Sequence, residues 1–296
     1  SHSLGRRARE MLPWTRGLFA AFVLVFVLVL GLAGPVVAGR GEDALARWAQ
    51  KRGVQLKNGG PSRLADDGSL VAARDLNAGD AVLSVPPKAV FSETTLTQRG
   101  MRDAMRHLAR VCATRRADGT GEGVQLDEHD AAAEDAFVVS GKHKLVLLLL
   151  AQRVSRKTSL WSALLDAFPD ARALDHPYFW SEADWRDVEG VAFDRLDRHV
   201  RVARERAAWV VGELSARFPS LFSARRVSTD DYLWSLAIVE RFAVQPDGDG
   251  TPWMLIPGLD RVRLDVAVRC SWQARRRASS QERFTLRCER HVGVDV

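Results

Sequence analysis

The chain of 296 residues contains few cysteines, histidines and tyrosines, and this scarcity limits which disulfide, metal and catalytic sites it can form. Its three cysteines, Cys112, Cys270 and Cys288, are odd in number and form no CxxC pair, so neither a disulfide framework nor a zinc cluster is indicated. The seven histidines are scattered without an HExxH motif, so the sequence gives metal catalysis no support. Only two tyrosines are present, Tyr178 and Tyr232.

Lysine is also scarce, and the formal net charge of +6 is carried mostly by arginine. An excess of arginine can indicate binding to nucleic acid or phosphate. Here the arginines alternate with Asp and Glu along predicted helices, which is typical of a solvated helix surface. The nine tryptophans lie mostly at apolar periodic positions, as core residues do. We therefore expect no nucleic-acid partner.

One long apolar stretch follows a basic tail at residues 1–16. Residues 17–39, GLFAAFVLVFVLVLGLAGPVVAG, carry no charge, and at about 1.5 Å per residue they can cross a bilayer core of about 30 Å. The alternative is a secretory signal peptide cleaved after Ala38, although the apolar core of such peptides usually has only about 7–15 residues. We expect a single-pass transmembrane or signal-anchor helix. Basic residues flank both ends, so the orientation stays open, as does the compartment, plastid or endomembrane.

Strand patterns lie towards the two ends of the remaining chain. At residues 66–86, DDGSLVAARDLNAGDAVLSVP predicts two strands, 70–72 and 81–85, and the simplest arrangement is a hairpin with its turn at 77–79. Later strand-like runs lie at 254–256, 262–268 and 284–288.

Helical patterns occupy the middle of the chain. The longest, at 192–218, has apolar residues at alternating three- and four-residue steps, which predicts an amphipathic helix packed on one face. Residues 114–135 are rich in Gly, Asp, Glu and Ala and predict a loop. The other predicted helices lie at 43–50, 92–111 (beginning near Ser92), 145–150 and 232–244. Strands, then helices, then strands indicate an α+β fold.

Six stretches in this order resemble SET-domain methyltransferases of the Rubisco large-subunit lysine methyltransferase type. Residues 66–86 follow the first SET motif, EGxGLVAxxDIxxGDxLLxVP, almost position for position. The other five stretches are LVLLLLAQRVSRKTSLWSALLDAFPD, HPYFWSEADWRDVEG, STDDYLWSLAIVERFAV, MLIPGLD and RFTLRCERHVGVDV. Together they cover residues 44–296.

The resemblance implies a SET-type β fold interrupted by a large helical insert. Its first part is expected at 44–92, the insert at 93–229, and an incomplete second part at 230–296. The implied reaction transfers a methyl group from S-adenosylmethionine to a lysine of a protein substrate, although some relatives methylate histidine. Such a displacement depends chiefly on positioning and electrostatics, and the acceptor amine must be neutral.

The resemblance also implies which residues lie beside the cofactor. Asp66, Gly68, Arg241 and Asp260 match positions on the cofactor side, and Arg263 stands where the family has asparagine. A small residue such as Gly68 lets the backbone approach a ligand closely, and a carboxylate can accept hydrogen bonds from it.

The catalytic tyrosine of the family is expected beyond Val296, so no catalytic residue is assigned within the sequence. Tyr178 and Tyr232 are expected in the helical insert and at a helix start. The serine before the family's arginine is replaced by Glu240. These departures keep a second hypothesis open, a catalytically inactive, membrane-tethered SET-like module that binds proteins.

Overall fold

The computed structural model describes eleven ranges of the chain, and every structural statement below concerns them. They are residues 41–54, 62–64, 70–72, 77–93, 100–117, 141–188, 191–223, 226–245, 252–258, 270–275 and 283–288.

Helices fill the middle of the described chain and strands lie on either side of them. The α-helices are α1 (Gly41–Lys51), α2 (Met101–Ala117), α3 (Gly141–Val154), α4 (Ser162–Ala167), α5 (Glu182–Arg186), α6 (Val191–Arg217) and α7 (Thr229–Phe242). The strands are β1 (Ser62–Leu64), β2 (Leu70–Ala72), β3 (Ala81–Val85), β4 (Phe91–Ser92), β5 (Ala243–Val244), β6 (Met254–Leu255), β7 (Cys270–Arg275) and β8 (Arg283–Cys288). Single 3₁₀ turns lie at Pro87–Ala89 and Pro177–Phe179.

Early strands pair with late strands across the helical region. The described strands form three antiparallel sheets, with orders β1-β2, β3-β8-β7 and β4-β6-β5. In the second sheet Leu83 lies opposite Leu286, and in the third Phe91 lies opposite Leu255. The long helical region is therefore an insertion between strands that belong to the same sheets.

The predicted strands at 70–72 and 81–85 are confirmed, but their pairing as a hairpin is wrong. Strand β2 pairs with β1, which the sequence reading missed, and β3 pairs with β8. The connection between β2 and β3 is longer than the two to five residues typical of a hairpin loop. Strand β3 instead lies beside β8, and Leu83 of β3 and Leu286 of β8 are both buried.

The turn before β3 is as predicted. The Asp80 N–H donates to the carbonyl of Asn77 at 3.0 Å, and the Asp80 carboxylate accepts from the Asn77 N–H at 3.1 Å. Gly79 has a φ of +88°, in the left-handed region that favours glycine. This turn aims the chain into β3.

A large apolar core joins the helices. In α3 every residue from Leu145 to Ala151 is buried, because the helix is packed on all sides, which fits its uninterrupted apolar run. In α6 the face of the predicted amphipathic pattern is buried, and Val202 is buried as well; Val200, Ala203, Ala207, Val210 and Leu214 form that face.

A second, smaller core lies under the strands. It contains Val85 and Leu83 of β3, Met254 of β6 and Leu286 of β8. Helix α1 contributes to both cores, because Leu45 packs into the helical core and Ala49 into the strand core. Burial of a leucine side chain contributes about 1.5–3 kcal/mol, and α1 contacts both cores.

Several helix boundaries differ from the predicted ones. Helix α3 extends beyond the predicted 145–150 at both ends, and residues 243–244, predicted as the end of a helix, form β5 instead. Ser92 lies in β4, where it is buried, and α2 begins only at Met101. Pairing of β4 with β6 overrides the capping tendency of this serine. Residues 114–117, predicted as the start of a loop, continue α2. Residues 118–135 of that loop and the strand at 262–268 lie outside the described residues.

None of the described helices is long and apolar enough to span a membrane. The predicted span at 17–39 lies outside the described ranges, so the structure gives it no support.

Candidate functional site

Among the five residues predicted at the cofactor, the structure describes Arg241. Asp66 and Gly68 fall in the connection between β1 and β2, and Asp260 and Arg263 in the connection between β6 and β7, all four outside the described residues. Strands β1 and β2, on either side of Asp66 and Gly68, belong to a different sheet from β6, which precedes Asp260. The assignment of these four residues stays a prediction.

Arg241 lies in the last turn of α7, a helix whose two ends are well defined. At the start, Ser228 and Asp231 form a capping box: each side chain accepts the backbone N–H of the other. At the other end, the N–H of Ala243 donates to the carbonyl of Val239, and the chain continues directly as β5. Arg241 therefore sits where a helix becomes a strand.

The guanidinium of Arg241 is hydrogen-bonded to the backbone of an earlier segment of the helical region, at Leu174. Its Nη1 donates to the carbonyl of Leu174 at 2.6 Å, and its Cζ lies 5.5 Å from the centre of the Phe242 ring. The residue remains exposed. Its position also suits the negative end of the helix dipole, which favours cations in the last turn.

A cluster of polar side chains, which the sequence reading did not predict as a site, lies next to Arg241. We call it the Glu240 cluster; it consists of His176, Tyr178, His199 and Glu240. The Tyr178 hydroxyl lies 3.2 and 3.1 Å from the two carboxylate oxygens of Glu240, to which it donates. The same hydroxyl lies 2.9 Å from Nε2 of His199. Since a hydroxyl has a single proton, His199 Nε2–H donates to the phenolic oxygen.

His176 also contacts the Glu240 carboxylate. Its Nδ1 accepts the backbone N–H of Tyr178 at 3.4 Å, so Nε2 carries a proton, and this nitrogen lies 3.5 Å from the Glu240 carboxylate. The Tyr178 ring centre lies 4.3 Å from that of His176 and 5.8 Å from that of His199. The carboxylate is thus fixed by directional contacts.

Burial and neighbouring charges shift the pKa values of Tyr178, His199 and Glu240 in the cluster. Burial, and then the negative charge of Glu240, raise the pKa of Tyr178 well above its usual range, so the phenol stays neutral. Burial would raise the pKa of Glu240, but the contact with His176 and the electrostatic contributions of His199, His176 and Lys142 outweigh burial and lower that pKa. The carboxylate, whose side chain keeps 24% of its surface exposed, is therefore charged at neutral pH.

His199 belongs to the exposed side of the cluster. Loss of hydration around the ring lowers the pKa of His199, against the opposing charge of Glu240. The shift favours the neutral imidazole, which suits the hydrogen bond to Tyr178. Arg204, also from α6, donates to the carbonyl of Tyr178 at 3.1 Å. Helix α6 therefore holds Tyr178 through both backbone and side chain.

A second buried pair lies deeper in the helical core. His143 of α3 and the hydroxyl of Tyr232 of α7 are 2.7 Å apart, and both residues are buried. Burial raises the pKa of Tyr232 above its usual range. In the part of the chain that the structure describes, no group of three or more His, Cys, Asp or Glu side chains is arranged to hold a metal.

The Glu240 cluster left a weak signal in the sequence. His176 and Tyr178 flank Pro177 in the stretch HPYFW, and Glu240 precedes Arg241 where the family has serine. No local pattern connects these stretches with His199, because its contact with Tyr178 is made by the packing of α6 against the 3₁₀ turn at Pro177–Phe179.

Comparison with solved structures gives similar folds. The SET domain of LSMT bound to MeLysine and AdoHcy has a TM-score of 0.58 and 19% identity, over 86% of this chain and 51% of that chain. Rubisco LSMT bound to Sinefungin and Monomethyllysine gives 0.57 and 16%, over 86% and 51%. Rubisco LSMT bound to AdoMet gives 0.56 and 16%, over 86% and 52%.

This chain has a SET-domain fold. The resemblance noted in the sequence is confirmed at that level, with early and late strands paired around a helical insert. The chain spans about half the length of the solved structures it matches. No protein-family model matches the sequence, and no curated protein matches it.

Proposed function

We propose that this protein is an S-adenosylmethionine-dependent protein-lysine N-methyltransferase of the SET type. The observation that carries the proposal is the pairing of β3 with β8 and β4 with β6 across the helical region, in a fold similar to Rubisco LSMT. The LSMT structures hold AdoMet or AdoHcy, and lysine or methyllysine, which supports the same cofactor and acceptor here.

Arg241 fits a role beside this cofactor. It is exposed at the junction of α7 and β5, and among the described residues its hydrogen bond to Leu174 uses one of five guanidinium N–H donors. The remaining donors can pair with a carboxylate such as the one S-adenosylmethionine carries. Asp66, Gly68, Asp260 and Arg263 are proposed for the same site from the sequence resemblance.

The bound cofactor would supply a methyl group on a positively charged sulfur. The protein would bind and orient the two reactants and exclude water from the acceptor, so that the lysine amine reaches its neutral form. Tyr178 and Tyr232 are buried in the helical region with their hydroxyls hydrogen-bonded, so we assign neither of them to methyl transfer.

Calorimetry with S-adenosylmethionine tests the proposal. We expect measurable binding by the full chain and at least about tenfold weaker binding by Arg241→Ala, the scale for losing a charge-assisted contact of about 1.5–3 kcal/mol. Arg195→Ala is the matched control, because it removes an exposed arginine from α6 and changes the net charge equally. Absence of heat at millimolar ligand would defeat the proposal for this chain.

Transfer of a labelled methyl group identifies the acceptor. After incubation with a mixture of candidate protein substrates, hydrolysis separates methyllysine from methylhistidine. We expect methyllysine; methylhistidine alone would reassign the acceptor while keeping the cofactor.

A non-catalytic SET-like module is the second candidate. It is favoured by the substitutions at Glu240 and Arg263 and by the use of Arg241 to hold the carbonyl of Leu174. Binding of a protein partner without binding of S-adenosylmethionine would favour it over the enzyme.

We further propose that residues 17–39 attach the protein to a membrane. The uncharged length of this stretch supports the proposal. Flotation of the full chain with phospholipid vesicles tests it, with Val27→Arg/Leu28→Arg as the comparison, because two charges at the centre of the span disfavour insertion. A mature N terminus at Gly39 would instead support a cleaved signal peptide.

A further inference from the structure

Two neighbouring residues in the last turn of α7 hold the same short segment of the helical region. Arg241 donates to the carbonyl of Leu174 at 2.6 Å. Glu240 accepts from the hydroxyl of Tyr178, and its carboxylate lies 3.5 Å from His176. The segment 174–178 is therefore joined to the end of α7 at three points.

This end of α7 leads straight into the strands that precede another predicted cofactor-side segment. Strand β5 begins at Ala243, and Ala243 lies opposite Leu255 of β6. Strand β6 continues through Ile256 to the Pro257-Gly258 turn, two residues before Asp260. A rotation of the last turn of α7 would move Arg241 and, through β5 and β6, this turn as well.

Glu240 is restrained by polar contacts as well as by packing. A partly buried carboxylate costs free energy unless it is paired, and here its partners are a neutral phenol and an imidazole N–H. The Glu240 carboxylate oxygens lie 3.1 and 3.2 Å from the Tyr178 hydroxyl and 3.5 Å from His176, so contacts with two residues of one segment restrain the rotation of the helix end as well as its position. Through Tyr178, the same carboxylate is linked to His199 of α6.

We infer that Glu240 is a positioning residue for the cofactor site: through Tyr178 and His176 it sets the orientation of Arg241 and of the β5–β6 pair. The inference rests on the proposed function, because it assumes that Arg241 faces the cofactor. Glu240 itself would not contact the ligand.

The test separates cofactor binding from stability. For each variant of the full chain, calorimetry gives the dissociation constant for S-adenosylmethionine, and urea unfolding gives the free energy of unfolding. We expect Glu240→Ala to weaken binding about tenfold, by analogy with the roughly 10–100-fold loss when a hydrogen-bonded partner of a metal ligand is removed. Glu240→Gln keeps an oxygen that accepts from Tyr178, so we expect it to recover most of the affinity.

Asp231→Ala is the matched control, because it removes a capping and ion-pair residue from the opposite end of the same helix. We expect it to lower the free energy of unfolding while the dissociation constant stays within about twofold, since the last turn of α7 keeps its contacts. If Glu240→Ala fails to fold, Tyr178→Phe takes its place, because it removes only the hydroxyl; we expect it to weaken binding as well.

Two results would overturn the inference. If the unaltered chain binds S-adenosylmethionine and both Glu240→Ala and Tyr178→Phe bind it equally well, the cluster serves stability alone. If the unaltered chain does not bind S-adenosylmethionine, the proposed function fails and this inference fails with it.

Discussion

The helical and the strand regions of this chain depend on contacts of different range. Helix α3 is buried along Leu145–Ala151, and the apolar run that buries it is contained in one stretch of sequence. Strand β3 is as short as its pattern predicts, but its partner β8 lies at the other end of the described chain. Local sequence patterns therefore specify which helices and strands form. The pairing of the strands depends on segments that lie far apart in the chain.

The largest expected effect comes from the helical core. Leu149→Ala should lower the free energy of unfolding by about 2–5 kcal/mol, because the side chain is fully buried and its removal leaves a cavity. Leu160→Ala is the control: Leu160 is 75% exposed, so its removal should cost within about 0.5 kcal/mol. Urea unfolding measures both. Equal losses would contradict the described packing of α3.

A double-mutant cycle tests the long-range pairing of the strand region. Leu83 and Leu286 lie opposite each other in β3 and β8, and both are buried. Their alanine variants should show a coupling of about 0.5–3 kcal/mol, as residues in contact do. Strict additivity of the two losses would show that these strands are not neighbours, and the fold assignment would fall with it.

A smaller effect is expected at the start of α7. Ser228→Ala removes the hydroxyl that accepts the Asp231 N–H at 3.1 Å, and such a loss costs about 0.5–2 kcal/mol. Ser181→Ala removes the same kind of capping box from α5, a five-residue helix without buried residues. We expect thermal unfolding to shift less for Ser181→Ala, because less structure depends on α5. A larger shift for Ser181→Ala would contradict this.

The last prediction concerns the free energy of unfolding at alkaline pH; at neutral pH we expect no change. The pKa values of Tyr178 and Tyr232 are raised by burial, so folding favours the neutral phenols. This contribution is complete below the unfolded value of about 10 and is lost as pH rises above it, because the unfolded chain then releases protons that the folded chain retains.

Urea unfolding between pH 8 and pH 11 measures the alkaline loss. Because these are the chain's only two tyrosines, the double variant Tyr178→Phe/Tyr232→Phe should show a shallower decline above about pH 10. An identical decline in both proteins would assign the loss to lysine and cysteine instead.

Much of the fold could be predicted from the sequence. Helix α6 was predictable because its apolar residues recur at helical spacing, and the strands at 70–72 and 81–85 because turn residues bound them. The predicted hairpin was wrong because each of the two strands pairs with a different strand, and a short stretch of sequence does not show which strand that is. The predicted helix start near Ser92 was wrong for the same reason, because the local sequence does not distinguish a serine that caps a helix from one that is buried in a strand.

The candidate site was predictable only through resemblance. Arg241 was identified by its place in a motif, and the structure puts it at a helix-to-strand junction. The Glu240 cluster was not predicted, because it joins His176, Tyr178, His199 and Glu240 from three elements. Buried polar contacts of this kind depend on how helices pack, which periodicity alone does not reveal.

The direct passage from α7 into β5 has a consequence for insertions and deletions. Phe242 ends the helix and Ala243 begins the strand, with no loop residue between them. One extra residue at this point would turn β5 over, since a shift of one position exchanges the two faces of a strand. Related chains should therefore vary in residue type here while keeping the same length from Ser228 to Val244.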